Sequence, residues 1–569
     1  MNFRWNYKTQ PPRERILKLH QSLGIDPVLC QLLLQRDVND FEEARSFFRP
    51  SLDDLHNPFL MKDMDLAVKR TDQAINQGER ILIYGDYDVD GTTSVALMYS
   101  FLAKHYEHID TYIPDRYREG YGVSFAGIDY AEDNEISLII ALDCGIKAHA
   151  QVKYAAEKGI DFIICDHHQP GPELPPAIAV LDPKRQDCIY PYGELSGCGV
   201  GFKLVQALCT HWGLNSEQWF PLLDLLAISI GADIVPMTGE NRVLTHYGLK
   251  IINEKPRKSI RYLKKVAGKD GKKLNITDVV FLLAPRINAA GRISHGQKAV
   301  SLLISEDEKE LAELASQIND HNLERKQLDS AITEAALRMI EREAMLHSTV
   351  VFSPDWHKGV IGIVASRLIE KHYRPTIVFT ESNGVLAGSA RSVSGFDIYS
   401  ALSACEDILE QFGGHKYAAG MTLRPERLTD FKERFENVVA GSIGEDQKSP
   451  SLEIDTRLTI SEINYKFYRI LRQFAPFGPG NLAPLFQSDQ LLDQGSKLVG
   501  SDKSHLKVSL LEPSSGKTIR GIGFGLADKI KLLKSGEAVS VVYHIEENEF
   551  NGYRNLELMV KDIKLTREL

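Results

Sequence analysis

The chain has 569 residues, of which 43% are hydrophobic and 25% are charged, and its formal net charge is −10. This length allows roughly three or four domains, each large enough to bury a core, and the composition is that of an ordinary globular protein. No apolar stretch approaches the roughly 18 residues that cross a bilayer, and the first residues lack the apolar core of a signal peptide. We therefore expect a cytoplasmic protein without membrane contact, whose seven cysteines are reduced and, lacking a C-x-x-C pair, do not bind zinc.

The first half of the chain predicts an α/β domain. Residues 1–75 predict short helices, and beyond them apolar, β-branched runs alternate with helical patterns. The predicted strands are 81–84, 110–113, 136–142 and 162–165, and the predicted helices between them are 93–106 and 148–158. Continuous β-branched runs between helices are typical of a parallel sheet that is covered on both faces. We assign this parallel-sheet domain to residues 76–300.

Acidic and imidazole side chains follow three of these predicted strands and one later apolar run at 222–230. The four groups are Asp86-x-Asp88-x-Asp90, Asp143, Asp166-His167-His168 and Asp233. The carboxyl ends of parallel strands meet at one edge of a sheet, which is where ligands collect. We therefore expect these side chains to lie close together at that edge.

Clustered carboxylates repel one another, so this arrangement predicts a strongly positive partner. Oxygen ligands suit Mg²⁺ and Mn²⁺, and an imidazole in the shell favours Mn²⁺. A pair of such ions can activate a water molecule and neutralise charge in a transition state. An Asp-rich turn without metal is the alternative for the first group alone, but four such groups favour a site for two divalent cations, Mn²⁺ or Mg²⁺.

The residue types indicate different roles within this cluster. Asp143, alone at the end of a middle strand, has the type and position of a carboxylate shared by two ions. His167 can bind a metal, whereas His168 is better placed for a general acid. The predicted metal ligands are Asp86, Asp88, Asp90, Asp143, His167 and Asp233. The predicted catalytic residues are His168, Asp143 and Asp166.

The second half of the chain predicts three further parts. Charged residues with apolar positions at helical spacing predict a long connecting helix over 301–346, and a second α/β domain follows at 347–440. Residues 441–450 are polar and turn-forming, which is typical of a linker. Beyond them, alternating runs predict strands at 507–511, 518–524, 538–545 and 556–560, with Asn551-Gly552 as a hairpin turn. We interpret residues 451–569 as a small β-barrel.

One segment is strongly basic although the chain is acidic overall. Nine lysines and arginines lie between residues 255 and 273, opposed by the single carboxylate of Asp270. A solvated helix face is one interpretation, and a groove that follows phosphate groups is the other. The sequence leaves both open.

The acidic groups also carry a family resemblance. Asp86-x-Asp88-x-Asp90-Gly91, Asp143-Cys144-Gly145, Asp166-His167-His168 and Ala232-Asp233 resemble the successive motifs of the DHH phosphoesterase superfamily. Within it, the chain from about residue 30 to its end resembles the RecJ family of bacterial exonucleases. The resemblance implies a metal-dependent 5′→3′ exonuclease that hydrolyses single-stranded DNA to nucleoside 5′-monophosphates in DNA recombination and repair.

The resemblance implies that the six predicted ligands hold two metals, with Asp143 shared and His168 catalytic. One position departs from the superfamily pattern. Many members carry a histidine two positions before the first aspartate, where this chain has Tyr84. Asp86 is the candidate to replace that ligand.

The resemblance further implies that the second α/β domain is a DHHA1-like substrate-binding domain. It places Arg116, Ser389 and Arg391 around a terminal 5′ phosphate, which suits the forked geometry of arginine. Other predicted phosphate contacts are Gly414 and His415 in a glycine-rich loop, and Arg286, Asn288 and Arg292 amid small residues. A structural turn is the alternative for the last three.

The barrel resembles the OB-fold of the same exonucleases. OB-folds stack the bases of single strands on aromatic side chains, but aromatic residues in a small barrel also build its core. The sequence therefore does not decide among the candidates, which are Phe486, Phe524, Tyr543 and Tyr553. The partners that the resemblance implies are single-stranded DNA, a single-strand-binding protein and a RecQ-type helicase, and we expect a monomer.

Two other functions compete with the exonuclease. A superfamily hydrolase of short oligoribonucleotides, cyclic dinucleotides or pyrophosphate would need neither the barrel nor the basic segment. A non-enzymatic scaffold that has lost its metal ligands would not need the full acidic set and both histidines. Both features therefore favour the exonuclease.

Overall fold

The computed structural model describes residues 3–342, 347–550 and 552–569. These residues form two compact units. One contains residues 50–443 with 478–480, and the other contains the chain up to Arg49 together with 444–477 and 481–569. The predicted α/β class, with a parallel sheet, a connecting helix, a second α/β domain and a barrel, is confirmed. No helix among the described residues is long and apolar enough to cross a membrane.

The parallel sheet of the first unit was predicted correctly apart from one strand. Its order across the described residues is Ile109–Tyr112, Arg80–Gly85, Ile136–Leu142, Asp161–Cys165 and Ala179–Leu181. All four pairings are parallel. The last strand, with only three residues, is too short for periodicity to reveal. Alternate residues of the second strand enter opposite cores, since Ile81 and Ile83 pack on one face and Leu82 and Tyr84 on the other.

Helices cover both faces of this sheet. They are Met64–Gln77, Val89–Leu102, Phe125–Asp133, His149–Glu157, Gly197–His211, Leu223–Ala232, Gly239–Glu254, Lys258–Val266, Ala284–Ile293 and Gln297–Ile304. The helix predicted at 93–106 begins earlier, at Val89, because Asp88 caps it: its side chain accepts the amide of Gly91 at 3.0 Å. Asp90 therefore lies in the first helical turn rather than in a loop.

The connecting helix runs from Glu308 to Ile340 and starts at the N-cap Asp307. Leu311, Ala315 and Ile318 join the core of the parallel-sheet lobe. Further along, Ile332 and Ala336 join the core beneath the second lobe. One helix thus packs on both lobes of the first unit. Residues 343–346, the end of the helix predicted to 346, lie outside the described residues.

The second lobe has a mixed sheet. Its order is Gln411–His415, Ala418–Leu423, Val385–Arg391, Thr376–Ser382 and Thr349–Phe352, with only the last pair parallel. The helices Ile361–Ile369, Ile398–Ser403 and Leu428–Ser442 pack against it. The sheet positions Ser389 and Arg391 on its central strand.

The other unit contains the barrel. Its strands follow the order Thr456–Arg457, Phe486–Asp493, Val539–Phe550, Tyr553–Leu565, Lys517–Gly523, His505–Glu512 and Lys497–Val499. A further pairing joins Phe486–Asp493 to His505–Glu512 and closes the sheet on itself. Of the predicted hairpin turn, Asn551 lies outside the described residues and Gly552 has φ +78°. Phe486 and Tyr543 are fully buried, whereas Phe524 and Tyr553 are exposed.

In addition to short helices of the kind predicted over 1–75, the N-terminal residues contain a strand. Strand Arg4–Tyr7 pairs in parallel with Ser451–Ile454 in the unit that contains the barrel. The helices Arg13–Leu23, Pro27–Leu34 and Phe41–Phe48 bury Leu29 and Leu33 in the same core as the barrel. Helix Met64–Gln77 instead packs in the core of the parallel sheet. The apolar faces of these helices, rather than their place in the chain, decide which of the two cores each helix joins.

The basic segment contains the helix Lys258–Val266. Some of its cations are paired: Arg257 contacts Asp224 at 2.7 Å, Lys258 contacts Glu306 at 3.1 Å, and Lys269 contacts Asp278 at 3.2 Å. Arg261, Lys265, Lys272 and Lys273 are exposed. The helix buries Ile260 and Leu263 and exposes Arg261 and Lys265, which favours the first interpretation given above.

Candidate metal centre and phosphate pocket

The sheet order brings the predicted acidic groups together. The strands that end before Asp86, Asp143 and Asp166 are direct neighbours, with the strand of Asp143 in the middle. Ligand atoms of Asp143, His167 and His168 lie within 4.8 Å of one another, and so do those of Asp90, His167 and Asp233. The structure therefore brings together Asp90, Asp143, His167, His168 and Asp233 of the predicted set.

His167 is the centre of this cluster. Its Nε2 atom lies 3.3 Å from Asp143 Oδ1, 3.6 Å from Asp233 Oδ2 and 3.9 Å from Asp90 Oδ2. Neither ring nitrogen has a hydrogen-bond partner among the described residues, although the side chain is buried. Burial lowers the pKa of His167 although the charge of Asp90 opposes it. The imidazole is thus neutral and offers a lone pair, as a metal ligand must.

The carboxylates around His167 are poorly compensated by the protein itself. Burial, and then the charge of Asp88, raise the pKa of Asp86 to about 8. Burial, and then Asp90, raise the pKa of Asp233 to about 8 and that of Asp143 well above its ordinary value. Asp86 Oδ2 and Asp143 Oδ1 are buried without a hydrogen-bond partner among the described residues. Orphaned oxygens and an orphaned imidazole in one place fit divalent cations.

Asp143 is held in a strained conformation. Its φ of +60° lies in the left-handed region, which aspartate tolerates better than most residues. Gly197, at the start of the helix Gly197–His211, lies against it so closely that a Cβ atom there would be 2.5 Å from Asp143 Oδ1. This contact requires glycine and fixes the direction of the carboxylate.

Asp90 connects the cluster to the same helix. Its carboxylate accepts the amides of Gly197 at 2.7 Å and Cys198 at 2.9 Å, and the hydroxyl of Ser229 at 2.6 Å. A carboxylate at a helix N-terminus is stabilised by the unpaired amides there. Asp90 therefore positions the helix Gly197–His211 as well as facing His167. Asp88 also has two roles, since it is a predicted ligand and caps the helix Val89–Leu102. Their roles as ligands stay predictions.

His168 is held from both sides. Its Nδ1 atom lies 2.7 Å from Asp166 Oδ1, and its Nε2 atom lies 3.1 Å from the hydroxyl of Tyr121. Burial lowers the pKa of His168, but the hydrogen bond and charge of Asp166 outweigh it and raise the pKa. The imidazole is therefore oriented and kept ready to carry a proton.

Asp166 acts through its neighbours. One oxygen accepts the amides of His167 and His168 as well as the His168 ring, and the other accepts the amide of Ile146 at 2.9 Å. Burial raises its pKa, but the hydrogen bond from His168 leads the contacts that bring the pKa down to about 2. With its oxygens engaged in this way, Asp166 positions the His168 ring, and its catalytic role stays a prediction.

Tyr84, at the position where many superfamily members carry a histidine, does not reach the cluster. Its side chain lies in the core on one face of the sheet, together with Leu82 and Ile139. Its hydroxyl donates to the carbonyl of Gly122 at 2.9 Å. Asp86, two residues later, has an oxygen that is buried without a hydrogen-bond partner among the described residues, and its role as the substitute ligand stays a prediction.

Sequence reasoning missed two residues at this edge and one that faces it. Asp182 and Lys184 follow the short strand Ala179–Leu181, and Asp182 accepts the amide of Lys184 at 2.7 Å. Burial raises the pKa of Asp182 to about 7. The apolar run before Asp182-Pro183-Lys184 was the available signal, but three residues do not establish a strand. Tyr121, between Gly120 and Gly122, gave no signal in the sequence.

A cavity of about 970 Å³ lies between the two lobes of the first unit. Arg116, Arg292, Lys358 and Arg391 bring four cationic side chains to its wall, and Ser389 and Gly362 line it as well. Arg391 donates to the hydroxyl of Ser389 at 3.2 Å. The guanidinium of Arg116 lies 4.8 Å from the ring centre of Tyr87.

The guanidinium groups of this cavity lack carboxylate partners in the described part of the chain. Burial, and then the charges of Arg116, Arg325 and Arg391, lower the pKa of Arg292 to about 10. Burial, and then Arg116, lower the pKa of Arg391. Cations that repel one another inside a concave wall are stabilised by an anion, and phosphate suits the forks of arginine.

The cavity adjoins the acidic edge. Tyr87, which lines the cavity, stands in the chain between Asp86 and Asp88. Burial raises the pKa of Asp86, and the positive charge of Arg116 acts against this shift. Burial lowers the pKa of Arg292, and the negative charge of Asp88 acts against that shift. A phosphate in the cavity and a phosphodiester at the acidic edge can therefore belong to one molecule.

The other predicted phosphate contacts separate into two kinds. The side-chain oxygen of Asn288 accepts a hydrogen bond from Nε of Arg292 at 3.2 Å and so positions a guanidinium group of the cavity. Arg286 is buried outside the cavity, where it donates to Asn319 at 3.2 Å and to the carbonyl of Leu282 at 2.7 Å. Gly414 and His415 are exposed and do not line the cavity, whereas Gly413 and Gly420 of the same hairpin do.

Comparison with known families matches three parts of the sequence. Residues 80–230 match the DHH family, N-terminal domain. Residues 343–441 match the DHHA1 domain, and residues 454–562 match the RecJ OB domain. The three matches follow one another in the order of the two lobes and the barrel.

Relatives match over almost the whole chain. The single-stranded-DNA-specific exonuclease RecJ of Bacillus subtilis (strain 168) is 38% identical over 562 residues, which cover 98% of this chain and 70% of that protein. The protein of the same name from Escherichia coli (strain K12) is 33% identical over 95% of this chain and 96% of its own length.

Solved structures agree with the fold. The crystal structure of RecJ in complex with Mn²⁺ from Thermus thermophilus superposes with a TM-score of 0.84 at 28% identity, covering 99% of this chain and 79% of that chain. The Mg²⁺ complex from the same organism superposes with a TM-score of 0.78 at 26% identity, covering 99% of this chain and 78% of that one.

Proposed function

The chain belongs to the RecJ family of single-stranded-DNA-specific exonucleases, and we propose that it removes nucleotides one at a time from a 5′-phosphorylated end. It is a metal-dependent exonuclease of single-stranded DNA, and its cations are Mn²⁺ or Mg²⁺. The direction of attack and the product are inferred from the site of this chain.

The observation that carries the proposal is the position of the arginine-lined cavity beside the acidic edge. A terminal phosphate in the cavity would interact with Arg116 and Arg391. The first phosphodiester of the same strand would then lie at the acidic edge, one nucleotide away. Cleavage there releases a mononucleotide that keeps the 5′ phosphate. Because a cavity for a chain end does not accept the middle of a strand, the action is exonucleolytic.

Two divalent cations, when bound, would supply activation of water and neutralise charge on the phosphoryl group. Asp86, Asp88, Asp90, Asp143, His167 and Asp233 are the residues that would hold them, with Asp143 shared. The neutral imidazole of His167 and the unpartnered oxygen of Asp143 face each other at the centre of this set.

His168 would move a proton. Asp166 accepts a hydrogen bond from the Nδ1–H group of His168, which leaves Nε2 directed toward Tyr121 and the acidic edge. In its protonated form, His168 can deliver the Nε2 proton to the oxygen that leaves phosphorus. The hydrogen bond and charge of Asp166 outweigh burial and raise the pKa of His168, which favours this protonated form.

One experiment tests both the substrate and the direction. Single-stranded DNA with a 5′ label, the same strand in a duplex, and a short oligoribonucleotide are incubated with Mn²⁺ and, separately, with EDTA. We expect labelled mononucleotide from single-stranded DNA with Mn²⁺ and no product with EDTA. Preferential hydrolysis of the short oligoribonucleotide would instead support the hydrolase of small substrates.

The cellular context is proposed from the family alone. We propose a cytoplasmic enzyme of DNA recombination and repair that acts as a monomer beside a single-strand-binding protein and a RecQ-type helicase. Pull-down of each partner with the purified chain, with and without single-stranded DNA, tests these contacts. Light scattering of the purified protein tests the oligomeric state.

A further inference from the structure

The acidic edge of the parallel sheet has a cationic residue on either side of it. Among the described residues, the strands run in the order Ile109–Tyr112, Arg80–Gly85, Ile136–Leu142, Asp161–Cys165 and Ala179–Leu181. Arg116 follows the first of these strands and Lys184 follows the last. The strand that ends before Asp143 is the middle one, so two strands lie on each side of it. The proposed function uses Arg116 but gives Lys184 no role.

The turn after the last strand starts beside the metal centre. Cys165 pairs with Leu181, and the amide of Asp166 donates to the carbonyl of Leu181 at 3.0 Å. Residues 182–184 therefore leave the sheet next to residues 166–168. Because that neighbouring segment contains both histidines of the cluster, the turn belongs to the same edge.

Hydrogen bonds hold this turn in place. A side-chain oxygen of Asp182 accepts the amide of Lys184 at 2.7 Å. The buried guanidinium of Arg185 donates to Asp187 at 2.9 Å and also to Asp63. The backbone of Lys184 is therefore fixed on both sides before a substrate arrives.

The side chain of Lys184 is not used by the turn. It is half-buried, yet it has no hydrogen-bond or carboxylate partner among the described residues. Burial lowers the pKa of His167, and the charge of Lys184 acts in the same direction. Burial raises the pKa of Asp233, and the charge of Lys184 acts against that shift. The ammonium group, with its three donors, is thus near the cluster and available to an anion.

A lysine beside crowded carboxylates can have a purely electrostatic role. Its charge would then compensate the acidic edge from a distance, without contact with the substrate. A direct ion pair with one of the carboxylates is the arrangement that compensation favours. Lys184 forms no such pair in the described part of the chain, which favours a ligand that arrives from outside.

We propose that Lys184 binds the phosphodiester that follows the cleaved one, an inference that rests on the proposed function. The terminal phosphate would lie beside Arg116 and the cleaved phosphodiester at Asp143, so the next phosphodiester falls on the side of Lys184. Since adjacent strands are about 4.8 Å apart, the two outer strands each lie about 10 Å from the strand of Asp143. Cations on both sides of the metal centre therefore hold three successive phosphates.

This contact sets a minimum length for full activity. A 5′-phosphorylated dinucleotide has a terminal phosphate and one phosphodiester, so it offers nothing to Lys184. A trinucleotide has a second phosphodiester and gains the contact. The step from two to three nucleotides therefore isolates Lys184 from the metal centre and from the cavity.

The test compares kcat/KM with Mn²⁺ on three substrates. They are a 5′-phosphorylated dT dinucleotide, the corresponding trinucleotide, and a trinucleotide whose second linkage is an uncharged methylphosphonate. Lys184→Gln removes the charge, whereas Lys184→Arg keeps it. Lys153→Gln is the matched control, because Lys153 is exposed on the helix His149–Glu157 and forms no ion pair with a described carboxylate.

For the parent protein we expect kcat/KM on the trinucleotide to exceed that on the other two substrates about tenfold, as one charge-assisted hydrogen bond would give. Lys184→Gln should remove this difference and leave the dinucleotide unchanged. Lys184→Arg and the control should retain it. Removing the charge from both protein and substrate should reduce kcat/KM no further than removing either one.

Thermal unfolding and Mn²⁺ uptake check that Lys184→Gln acts on the substrate alone. Neither should fall, because the variant removes a cation beside the ligands and breaks no hydrogen bond of the described side chains. Equal changes on all three substrates, or no change on any, would overturn the proposal and leave Lys184 as electrostatic compensation.

A second comparison does not depend on how any variant folds. If the parent protein hydrolyses the two trinucleotides equally well, the second phosphodiester is not bound and the proposal is overturned. If the parent hydrolyses no 5′-phosphorylated strand of any length with Mn²⁺, the proposed function itself fails. Failure of the Lys184 contact alone leaves that hydrolysis intact.

Discussion

The Oδ1 atom of Asp143 lies 3.3 Å from Nε2 of His167, and neither atom has a hydrogen-bond partner among the described residues. A carboxylate oxygen and a neutral imidazole nitrogen both present lone pairs, so a cation between them turns repulsion into coordination. Asp233 and Asp90 approach the same nitrogen at 3.6 and 3.9 Å. This relationship explains why the chain needs divalent cations.

Asp143→Asn should abolish metal uptake and activity while the protein stays folded. Asparagine fits the left-handed conformation at this position but removes the central charge. Because the bound cations contribute several kcal/mol to the transition state, we expect activity to fall about a thousandfold or more. Calorimetry with Mn²⁺ measures uptake, and thermal unfolding in EDTA measures stability, which should not fall because the crowded charges repel one another less.

The control for this variant is Asp133→Asn, an exposed carboxylate in the last turn of helix Phe125–Asp133. It should leave Mn²⁺ uptake, activity and unfolding unchanged. Retained turnover in Asp143→Asn would contradict the role of a shared ligand.

Asp166→Asn should reduce kcat and leave Mn²⁺ uptake intact. The amide nitrogen of asparagine would place a donor where backbone amides of Ile146 or His168 now donate. His168 would lose its orientation, and we expect kcat to fall about 10²- to 10⁴-fold. The buried mismatch should also lower the free energy of unfolding by about 1–3 kcal/mol.

Steady-state kinetics and calorimetry of the same protein check this prediction. His168→Gln serves as the companion variant, and the double variant should be no slower than the worse single one, because the two residues act as a unit. Loss of Mn²⁺ uptake in Asp166→Asn would make Asp166 a ligand and refute the positioning role.

Arg391→Gln should weaken recognition of the 5′ phosphate. The guanidinium lines the cavity and contacts Ser389, and charge-assisted hydrogen bonds contribute about 1.5–3 kcal/mol each. We therefore expect kcat/KM on a 5′-phosphorylated strand to fall about 10- to 150-fold. The same ratio on a 5′-hydroxyl strand should change little.

Arg427→Gln is the matched control, since Arg427 is partly exposed and pairs with Asp430, three residues away, at 3.3 Å. It should preserve the preference for a 5′ phosphate. If the wild-type enzyme cleaves 5′-hydroxyl and 5′-phosphate strands equally, the cavity does not select the chain end.

Arg286→Met should affect stability rather than phosphate recognition. Arg286 is buried against Asn319 and the carbonyl of Leu282, away from the cavity. Methionine keeps the apolar stem but leaves these two acceptors unpaired, so we expect unfolding to cost about 1–3 kcal/mol less. Urea titration measures this loss, and the ratio of activities on 5′-phosphate and 5′-hydroxyl strands should equal that of the wild type.

The contrast between Arg286 and Arg292 shows where sequence reasoning stopped. Both were predicted to contact phosphate, but six residues on a helix place them about 120° apart, on different faces. Asn288 and Arg292, four apart, share a face and do meet. The sequence indicated the residue types, whereas only the helix and its neighbour, the connecting helix with Asn319, decide which arginine reaches the cavity.

The acidic edge was predictable for a physical reason. Three neighbouring apolar strands end before Asp86, Asp143 and Asp166, and a parallel sheet gathers those ends at one edge. The contacts of Asp90 with Gly197 and Ser229 span more than a hundred residues and leave no local pattern. The same holds for Tyr121, whose partner His168 lies on another loop.

Gly197→Ala should disable the metal centre although it replaces none of the predicted ligands. A Cβ atom at this position would lie 2.5 Å from Asp143 Oδ1 and 2.7 Å from its Cα atom, so either the strand end or the helix must shift. Overpacking of this kind costs about 1–3 kcal/mol. The displaced Asp143 carboxylate and the weakened contact of Asp90 with the Gly197 amide should lower Mn²⁺ affinity at least about tenfold.

Gly193→Ala provides the comparison, because nothing lies within 4 Å of a Cβ atom there. It should match the wild type in Mn²⁺ titration, activity and thermal unfolding. Normal Mn²⁺ affinity in Gly197→Ala would mean that the direction of the Asp143 carboxylate is set by the strand alone. In that case the contact with the helix Gly197–His211 would be packing without consequence for the metal. The expected loss instead requires that the helix, anchored by Asp90, holds the shared ligand in place.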